Sequence, residues 1–333
     1  MRGSAKVSTR FGARWFLCRF FSALLLLDVL GSTASADLTN GLILYYSFST
    51  NANPTADDSG NSNTGAVNGA IWSATNGIIG GGYSFNGSSD YIGAGAAAGS
   101  LAIATNQLSI SAWIKRTTDN MLAWVVGKMG PATGSYGLYV QAPSGGTANK
   151  VVLSMDVGGG WGSGGGQADV AVANDAQWHH VVAVYNGTNV VCYVDSAAST
   201  PIATSGNIVP KAYTCKLGWE DGWNSQRFKG SMDEVRVYNR ALTAQEVTTL
   251  YTSALPPTVS VIIQGNPARY GNPSPLGYGT NIVLVSATVT NRVASPAAGG
   301  VGTQYVCTGW TGTGDVTNGT GTSVVFTVAG DST

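Results

Sequence analysis

The stretch FKGSMDEVRVYNRAL, residues 228–242, combines a strand with the approach to a helix. Polar and apolar residues alternate over residues 234–238, which is the pattern of a strand with one face in the core. Val235 and Val237 are therefore predicted to face the core, and the same parity puts Asp233 on the inward side. An inward carboxylate is costly unless it is hydrogen-bonded or bound to a cation, so Asp233 is predicted to have a partner elsewhere in the chain.

A helix start follows directly in the sequence. Thr243 and Glu246 have the spacing of a capping box, in which the N-cap threonine and the glutamate each satisfy a free backbone N–H group. Leu242 and Val247 stand where a hydrophobic staple closes the first turn. The helix is predicted to end within about two turns, before the proline pair at 256–257.

Residues 228–243 also match, almost letter for letter, the phrase F-x-G-x-[MI]-D-E-V-R-[VI]-Y-N-R-A-L-[ST]. The chain thereby resembles the laminin-G-like jelly-roll domains of secreted bacterial proteins, which belong to the concanavalin A-like superfamily. Over residues 40–252 this resemblance implies an all-β antiparallel β-sandwich, or jelly roll, with one short C-terminal helix. Further motifs of the family follow in the right order: GYSFNGSSDY at 82–91, LSISAWIK at 108–115, YGLY at 136–139, QWHHVVAVYNG at 177–187 and VVCYVD at 190–195.

The composition favours many short strands over long helices. The 333 residues include 46 glycines, and only 10% of them are charged. Five of the 17 basic residues and one of the 17 acidic residues lie in the first 36 positions, so the rest of the chain carries 12 basic and 16 acidic side chains. No basic stripe is available to neutralise phosphates, and a nucleic-acid partner is not expected.

The N-terminus, residues 1–36, has the pattern of a signal peptide. Five basic residues precede or adjoin a short apolar core at 20–30, and Ala34-Ser35-Ala36 is a small-x-small cleavage site. We expect cleavage after Ala36 and a protein that is secreted or on the cell surface; an uncleaved anchor is the alternative. No later segment has the roughly 18 apolar residues of a membrane span, so none is expected in the mature chain.

The remainder divides into a jelly-roll domain at 37–253, a linker at 254–258 and a small second β domain at 259–333. The paired prolines end the helix and stiffen the linker. Phrases such as YVCTGWTGTG at 305–314 are similar to the divergent internalin B-repeat family of small secreted β modules. The last strand of that pattern is absent, so this module is expected to be incomplete or the chain to be a fragment.

A turn-rich loop at 57–65 concentrates Asp and Asn oxygens of the kind that calcium binds. The resemblance implies a structural calcium site formed by Asp58, Asn61, Asn63 and Asp233, with Asp57 as a weaker candidate. Calcium would then staple the first and last strands. The alternative is an ordinary Asx-turn loop, with Asp233 capped by backbone amides.

Three tryptophans are candidate ligand-binding residues. Trp161 stands alone in a glycine run at 158–166, which is predicted to be a flexible loop, and Trp219 and Trp223 flank a turn. Such rings stack on sugars in grooves, or they fold back onto the sheet as ordinary packing.

Cysteines and histidines complete the candidate sites. Cys192 and Cys215 are both predicted to point into the core, as a disulfide or as two packed free thiols, and Cys307 is left over. His179 and His180 are adjacent on a strand and face opposite ways, so a shared metal or catalytic site is not expected.

Three functions are compatible with these features. The first is a non-catalytic module that binds a glycan or another cell-surface ligand, stabilised by calcium. The second is a glycoside hydrolase or lyase, but retaining hydrolysis needs two carboxylates about 5–5.5 Å apart, commonly on alternate strand residues, and the chain has no such run. The third is a purely structural envelope or matrix protein. We expect the first.

Overall fold

The computed structural model describes residues 37–50, 55–116, 122–130, 133–141, 149–219, 226–264, 270–285, 287–298, 304–312, 315–316 and 318–328. The signal peptide at residues 1–36 lies outside these ranges and stays a prediction. Among the described residues, no helix is long and apolar enough to cross a membrane.

Among the described residues, sixteen short strands precede the helix, as the glycine-rich composition and the alternating motifs predict. The strands are β1 Leu42–Tyr46, β2 Gly65–Asn68, β3 Ile71–Ser73, β4 Gly82–Asn86, β5 Tyr91–Ala94, β6 Leu108–Arg116, β7 Ala123–Gly130, β8 Thr133–Gln141, β9 Asn149–Met155, β10 Gly164–Val172, β11 Trp178–Tyr185, β12 Asn189–Val194, β13 Ala197–Ala198, β14 Ile202–Ala203, β15 Cys215–Leu217 and β16 Lys229–Tyr238.

These strands form two large antiparallel sheets. The nine-stranded sheet has the order β13-β12-β11-β6-β16-β4-β3, with β1 paired to β16 and β14 paired to β12. The seven-stranded sheet has the order β10-β9-β8-β7-β15-β5-β2. Central neighbours in both sheets are distant in sequence, as in the pairs of β6 with β16 and of β7 with β15, which is typical of a jelly roll. The predicted all-β sandwich is confirmed.

The hydrophobic core lies between the two sheets. Alternate residues of each strand enter it, because successive side chains of a strand point to opposite faces. Val235 and Val237 are fully buried there, as predicted. Other members of the same core come from both sheets: Ile110, Ala112, Ile114, Val181, Ala183, Tyr136, Leu138, Val140, Val151, Leu153 and Leu217.

A β-bulge in β16 corrects the predicted orientation of Asp233. The pairing of β16 with β6 shifts between Asp233 and Arg236, and Glu234 has a φ of 54°. Asp233 pairs with Trp113, whose side chain lies outside the core between the sheets, so Asp233 belongs to that outer face. The prediction was wrong because a bulge inserts one residue and changes the parity of everything before it.

The helix α1, Ala244–Ala254, begins as predicted. Thr243 is the N-cap, and both hydrogen bonds of the capping box with Glu246 are present. The helix has 11 residues, about three turns, so the predicted length of two turns was too short. It covers the outer face of the nine-stranded sheet with an apolar cluster: Val182, Val184, Tyr193, Tyr238, Leu242, Val247 and Leu250.

Short paired strands follow the helix. They are β17 Thr258–Ile263, β18 Gly279–Leu284, β19 Thr288–Arg292, β20 Ala297–Ala298, β21 Gln304–Tyr305 and β22 Ser323–Thr327. Pairs form between β17 and β18, β19 and β22, and β20 and β21. Val283, Val289, Phe326 and Val328 form a small core of their own. The domain boundaries and the resemblance to internalin B-repeats stay predictions.

Candidate functional site

A groove of about 390 Å³ lies on the outer face of the seven-stranded sheet. Leu138 and Val140 of β8 point into the core, so Tyr139 and Gln141 between and beside them point outward. The floor comes from Val152 and Ser154 of β9, and from backbone of β10. Three glycines of β10 line the far side: Gly164, Gly165 and Gly166.

Trp161 lines the other end of this groove. It sits in the turn between β9 and β10 and is partly exposed. Its ring centre lies 6.1 Å from that of Trp124, and the ring of Trp124 lies 4.6 Å from that of Tyr139. Trp161 therefore combines packing with a position in a groove: one part of its ring packs on the sheet, and another part lines the groove.

The glycine run that carries Trp161 is a hydrogen-bonded turn followed by the start of β10, which corrects the predicted loop for residues 164–166. The Oδ1 atom of Asp156 accepts from the backbone N–H groups of Gly158, at 2.9 Å, and Gly160, at 3.1 Å. The hydroxyl of Ser163 accepts from the N–H group of Val157 at 3.0 Å. The last three glycines of the run belong to β10. The acceptors that hold the turn, Asp156 and Ser163, are therefore close to it in sequence.

The sheet makes room for the aromatic rings with glycines. A Cβ atom on Gly137 would come within 2.3 Å of the Trp124 ring, and one on Gly134 within 2.9 Å of the Trp161 ring. Burial raises the pKa of the Tyr139 phenol, so it is neutral and able to donate a hydrogen bond at ordinary pH. The groove thus offers aromatic faces beside amide, hydroxyl and backbone groups, and none of its described lining residues is charged.

Trp219 lies on the same outer face but in a different environment. Its ring is 5.1 Å from Tyr91, and the cationic ends of Lys216 and Arg227 lie 4.3 and 3.9 Å from its centre. These contacts show Trp219 packed against its neighbours, and it does not line the groove. Trp223 lies outside the described residues, so its predicted role is a prediction only.

The loop predicted to bind calcium is closed by its own hydrogen bonds. Asp57 accepts from the N–H groups of Tyr45 and Ser59 through Oδ1, both at 3.0 Å, and from that of Asn63 through Oδ2 at 2.8 Å. Asp58 accepts from the hydroxyl of Ser47 at 2.6 Å.

The side chains of Asn61 and Asn63 brace the same loop against β1. The side-chain amide of Asn61 donates to the carbonyl of Leu42 at 3.0 Å, and that of Asn63 to the carbonyl of Ile43 at 2.7 Å. These bonds tie the loop to the first strand.

Asp233 has different partners. Its Oδ2 atom accepts from the N–H group of Ile79 at 3.1 Å, and its Oδ1 atom from that of Glu234 at 2.9 Å. The predicted ligands therefore have separate hydrogen-bond partners in the structure: residues 57–63 contact one another and β1, and Asp233 contacts the backbone of Ile79 and Glu234. Among the described residues, no three His, Cys, Asp or Glu side chains form a metal-binding group. Calcium binding stays a prediction.

Cys192 and Cys215 are buried and form no disulfide with each other in the structure. Both point into the core, as the alternation predicts, and the structure has the second of the two alternatives, without the disulfide. Burial raises the pKa of Cys215 to about 12, so the thiol is neutral and unreactive.

The two adjacent histidines have separate partners. His179 lies 2.7 Å from Asp195 and 3.2 Å from Asp175, and the hydrogen bond to Asp195 raises its pKa. His180 is fully buried, 2.8 Å from the hydroxyl of Ser111, and burial lowers its pKa to about 3. The two imidazoles do not share a site.

Comparison with known families supports this fold. Residues 86–248 match the family described as the Concanavalin A-like lectin/glucanases superfamily. This part of the chain has the fold of a concanavalin A-like jelly roll. The curated proteins contain no match to the chain.

Solved structures are similar to this chain at low sequence identity. The binding domain of Paraclostridial Mosquitocidal Protein 1 has a TM-score of 0.51 and 16% identity, over 87% of this chain and 76% of its own. Domain 4 of AbnA, a GH43 extracellular arabinanase from Geobacillus stearothermophilus solved with arabinotriose, has a TM-score of 0.49 and 21% identity, over 63% and 98%. The botulinum neurotoxin serotype D/C VPI 5993 binding domain has a TM-score of 0.49 and 11% identity, over 87% and 78%.

Several groove residues were missed from the sequence. The sequence does not predict Tyr139, Gln141 or Ser154 as site residues. The outward direction of these side chains could be predicted, because on each strand they alternate with residues that face the core. The local pattern could not predict that three strands and a turn bring these residues beside Trp161.

Proposed function

We propose that the jelly roll is an exported, non-catalytic module that binds a glycan chain in the groove between Tyr139 and Trp161. The observation that carries the proposal is the combination in that groove of aromatic rings with uncharged hydrogen-bonding groups. Sugars present apolar C–H faces and a rim of hydroxyls, which such a lining complements. The fully buried Trp124 packs against the rings of both Tyr139 and Trp161.

The lining also favours binding over hydrolysis. Glycoside hydrolysis generally requires a pair of carboxyl groups flanking the bond that is broken. The described residues that line the groove contribute a phenol, an amide, a hydroxyl, an indole and glycine backbone, but no carboxylate. A bound glycan would therefore be held and not cleaved.

Titration calorimetry with linear neutral oligosaccharides, arabinotriose among them, tests this proposal. We expect Trp161→Ala and Tyr139→Ala to weaken binding at least tenfold, because truncation of a tryptophan or tyrosine that anchors a binding site commonly costs about 2 kcal/mol or more. Trp178→Ala is the matched control, since that partly exposed tryptophan lies at the start of β11 in the other sheet.

The outcomes separate the three functions. Binding lost in the groove variants and kept in Trp178→Ala supports the proposal. Release of reducing ends from the same oligosaccharides would favour the hydrolase alternative. Failure of the wild type to bind any member of a broad panel of neutral and acidic glycans would contradict the proposal and favour a structural role.

A further inference from the structure

One carboxylate accepts two hydrogen bonds within the turn that carries Trp161. Asp156 is 3% exposed and stands at the end of β9. Its Oδ1 atom accepts two backbone N–H groups of the turn, those of Gly158 and Gly160. Its Oδ2 atom lies 3.2 Å from the ammonium group of Lys211. Both oxygens of one side chain are thus engaged in fixing the turn.

Lys211 belongs to a segment that reaches the turn from elsewhere in the chain. Its backbone N–H donates to the hydroxyl of Ser135 at 2.6 Å, and the N–H group of Val209 donates to the carbonyl of Asp156 at 2.8 Å. The segment is therefore held near the strands β8 and β9 by backbone hydrogen bonds that do not involve the ion pair. Burial alone would raise the pKa of Asp156, but the N–H groups of the turn and Lys211 lower it below its ordinary value, so the carboxylate is ionised.

The backbone of the turn cannot hold itself in place by packing. Gly158, Gly160 and Gly162 have φ values of 104°, 94° and 80°. A Cβ atom on Gly158 or Gly160 would meet open space, so nothing contacts these residues on that side. Glycine has the largest conformational freedom of any residue, and a run of it adopts one conformation only when hydrogen bonds select it.

We propose that Asp156 is a positioning residue for the glycan site, because it holds the turn in the one conformation that places Trp161 at the groove. Lys211 orients the carboxylate through the ion pair. The inference rests on the proposed function of the groove and adds a residue that does not itself line it. Without Asp156 the glycine turn opens, and the Trp161 ring leaves the space above Gly134.

Fluorine NMR of the full-length chain, labelled with 5-fluorotryptophan, tests this directly. Trp161→Phe identifies the Trp161 resonance. In Asp156→Ala that resonance is expected to move and broaden while the other resonances stay in place, and affinity for the linear oligosaccharide panel to fall at least tenfold. Asp156→Asn keeps an acceptor for the two N–H groups and is expected to retain most of the wild-type behaviour. Asp175→Ala, which removes a similar backbone cap before β11, is the control.

A Trp161 resonance that is unchanged in Asp156→Ala would overturn the proposal. If that variant does not fold, Asp156→Glu decides, since it keeps the charge but moves the acceptor by one methylene from the N–H groups of Gly158 and Gly160, and a wild-type resonance with wild-type affinity would then overturn it. Failure of the glycan proposal is a separate result: the Trp161 resonance moves in Asp156→Ala, but Trp161→Ala binds every oligosaccharide as the wild type does.

Discussion

The indole of Trp124 lies directly over the backbone of Gly137 on the neighbouring strand. A Cβ atom at position 137 would come within 2.3 Å of the ring, closer than real Cβ contacts allow. Trp124 is 1% exposed and is held by a hydrogen bond from its indole N–H to Gln226 at 3.0 Å, so the ring has little room to move away. The absence of a side chain at Gly137 is therefore a condition for the aromatic surface beneath the groove.

Gly137→Ala is expected to destabilise the fold by about 1–3 kcal/mol, the usual cost of overpacking. It should also weaken oligosaccharide binding, because a displaced Trp124 shifts both Tyr139 and Trp161. Denaturant unfolding and calorimetry measure the two effects. Gly93→Ala is the matched control on the same face, since its Cβ would meet its nearest neighbour at an ordinary 3.7 Å. Equal stability of the two variants would contradict this account of Trp124.

The fold was predictable because its signals are local. The inward positions of Val235 and Val237 follow from alternation over five residues, and the helix start follows from the spacing of Thr243 and Glu246. Each feature is decided by neighbours in sequence, so pattern alone suffices.

The sites were less predictable because distant partners decide them. The bulge is at Glu234, a non-glycine residue with a positive φ. The side chain of Glu234 forms hydrogen bonds with Tyr45 and Arg236. Likewise Trp161 reaches the groove through Asp156 and Lys211, which are 55 residues apart. Alternation contains no information about either arrangement.

The bulge is accompanied by a buried ion pair that gives a second prediction. Glu234 accepts from the Tyr45 hydroxyl at 3.0 Å and pairs with Arg236, and the two charged side chains are 6% and 13% exposed. Glu234→Gln leaves the guanidinium without its counter-charge, so we expect a loss of roughly 3 kcal/mol in unfolding free energy.

Removing both charges is expected to cost less than removing one. In Glu234→Gln/Arg236→Met no buried charge is left unpaired, and apolar replacement of such pairs is often close to neutral. A double-mutant cycle by urea unfolding measures the coupling. Strict additivity of the two single variants would show that Glu234 and Arg236 do not depend on each other.

The capping box supports a third prediction. The hydroxyl of Thr243 accepts from the N–H group of Glu246 at 3.2 Å, and the Glu246 carboxylate accepts from the N–H group of Thr243 at 2.7 Å. Thr243→Ala is expected to destabilise the protein by about 1 kcal/mol. Thr252→Ala near the exposed end of the same helix is the control and is expected to be neutral, as alanine is the better helix former. Identical melting temperatures for the two variants would contradict a stabilising cap.

The last prediction concerns Asp233 and pH. Burial raises the pKa of its carboxyl group to about 7, although the N–H groups of Ile79 and Glu234 work in the other direction. Between about pH 4 and pH 7 the folded state therefore keeps a proton that the unfolded chain releases. The contribution of this group to stability is complete below pH 4 and is lost as the pH rises to the folded pKa near 7.

Unfolding free energies of the wild type and Asp233→Asn, measured in chelator from pH 4 to pH 8, test the sign of this effect. We expect the wild type to lose stability relative to the variant as the pH rises through that window, because asparagine does not titrate. A difference in unfolding free energy that is constant with pH would show that the pKa of Asp233 is not raised. The same series in excess calcium tests the metal prediction: an ion bound at Asp233 favours the ionised carboxylate, so it would remove the slope and stabilise the wild type alone at pH 8. Equal curves with and without calcium would mean that backbone amides are the partners of Asp233 in solution as they are in the structure.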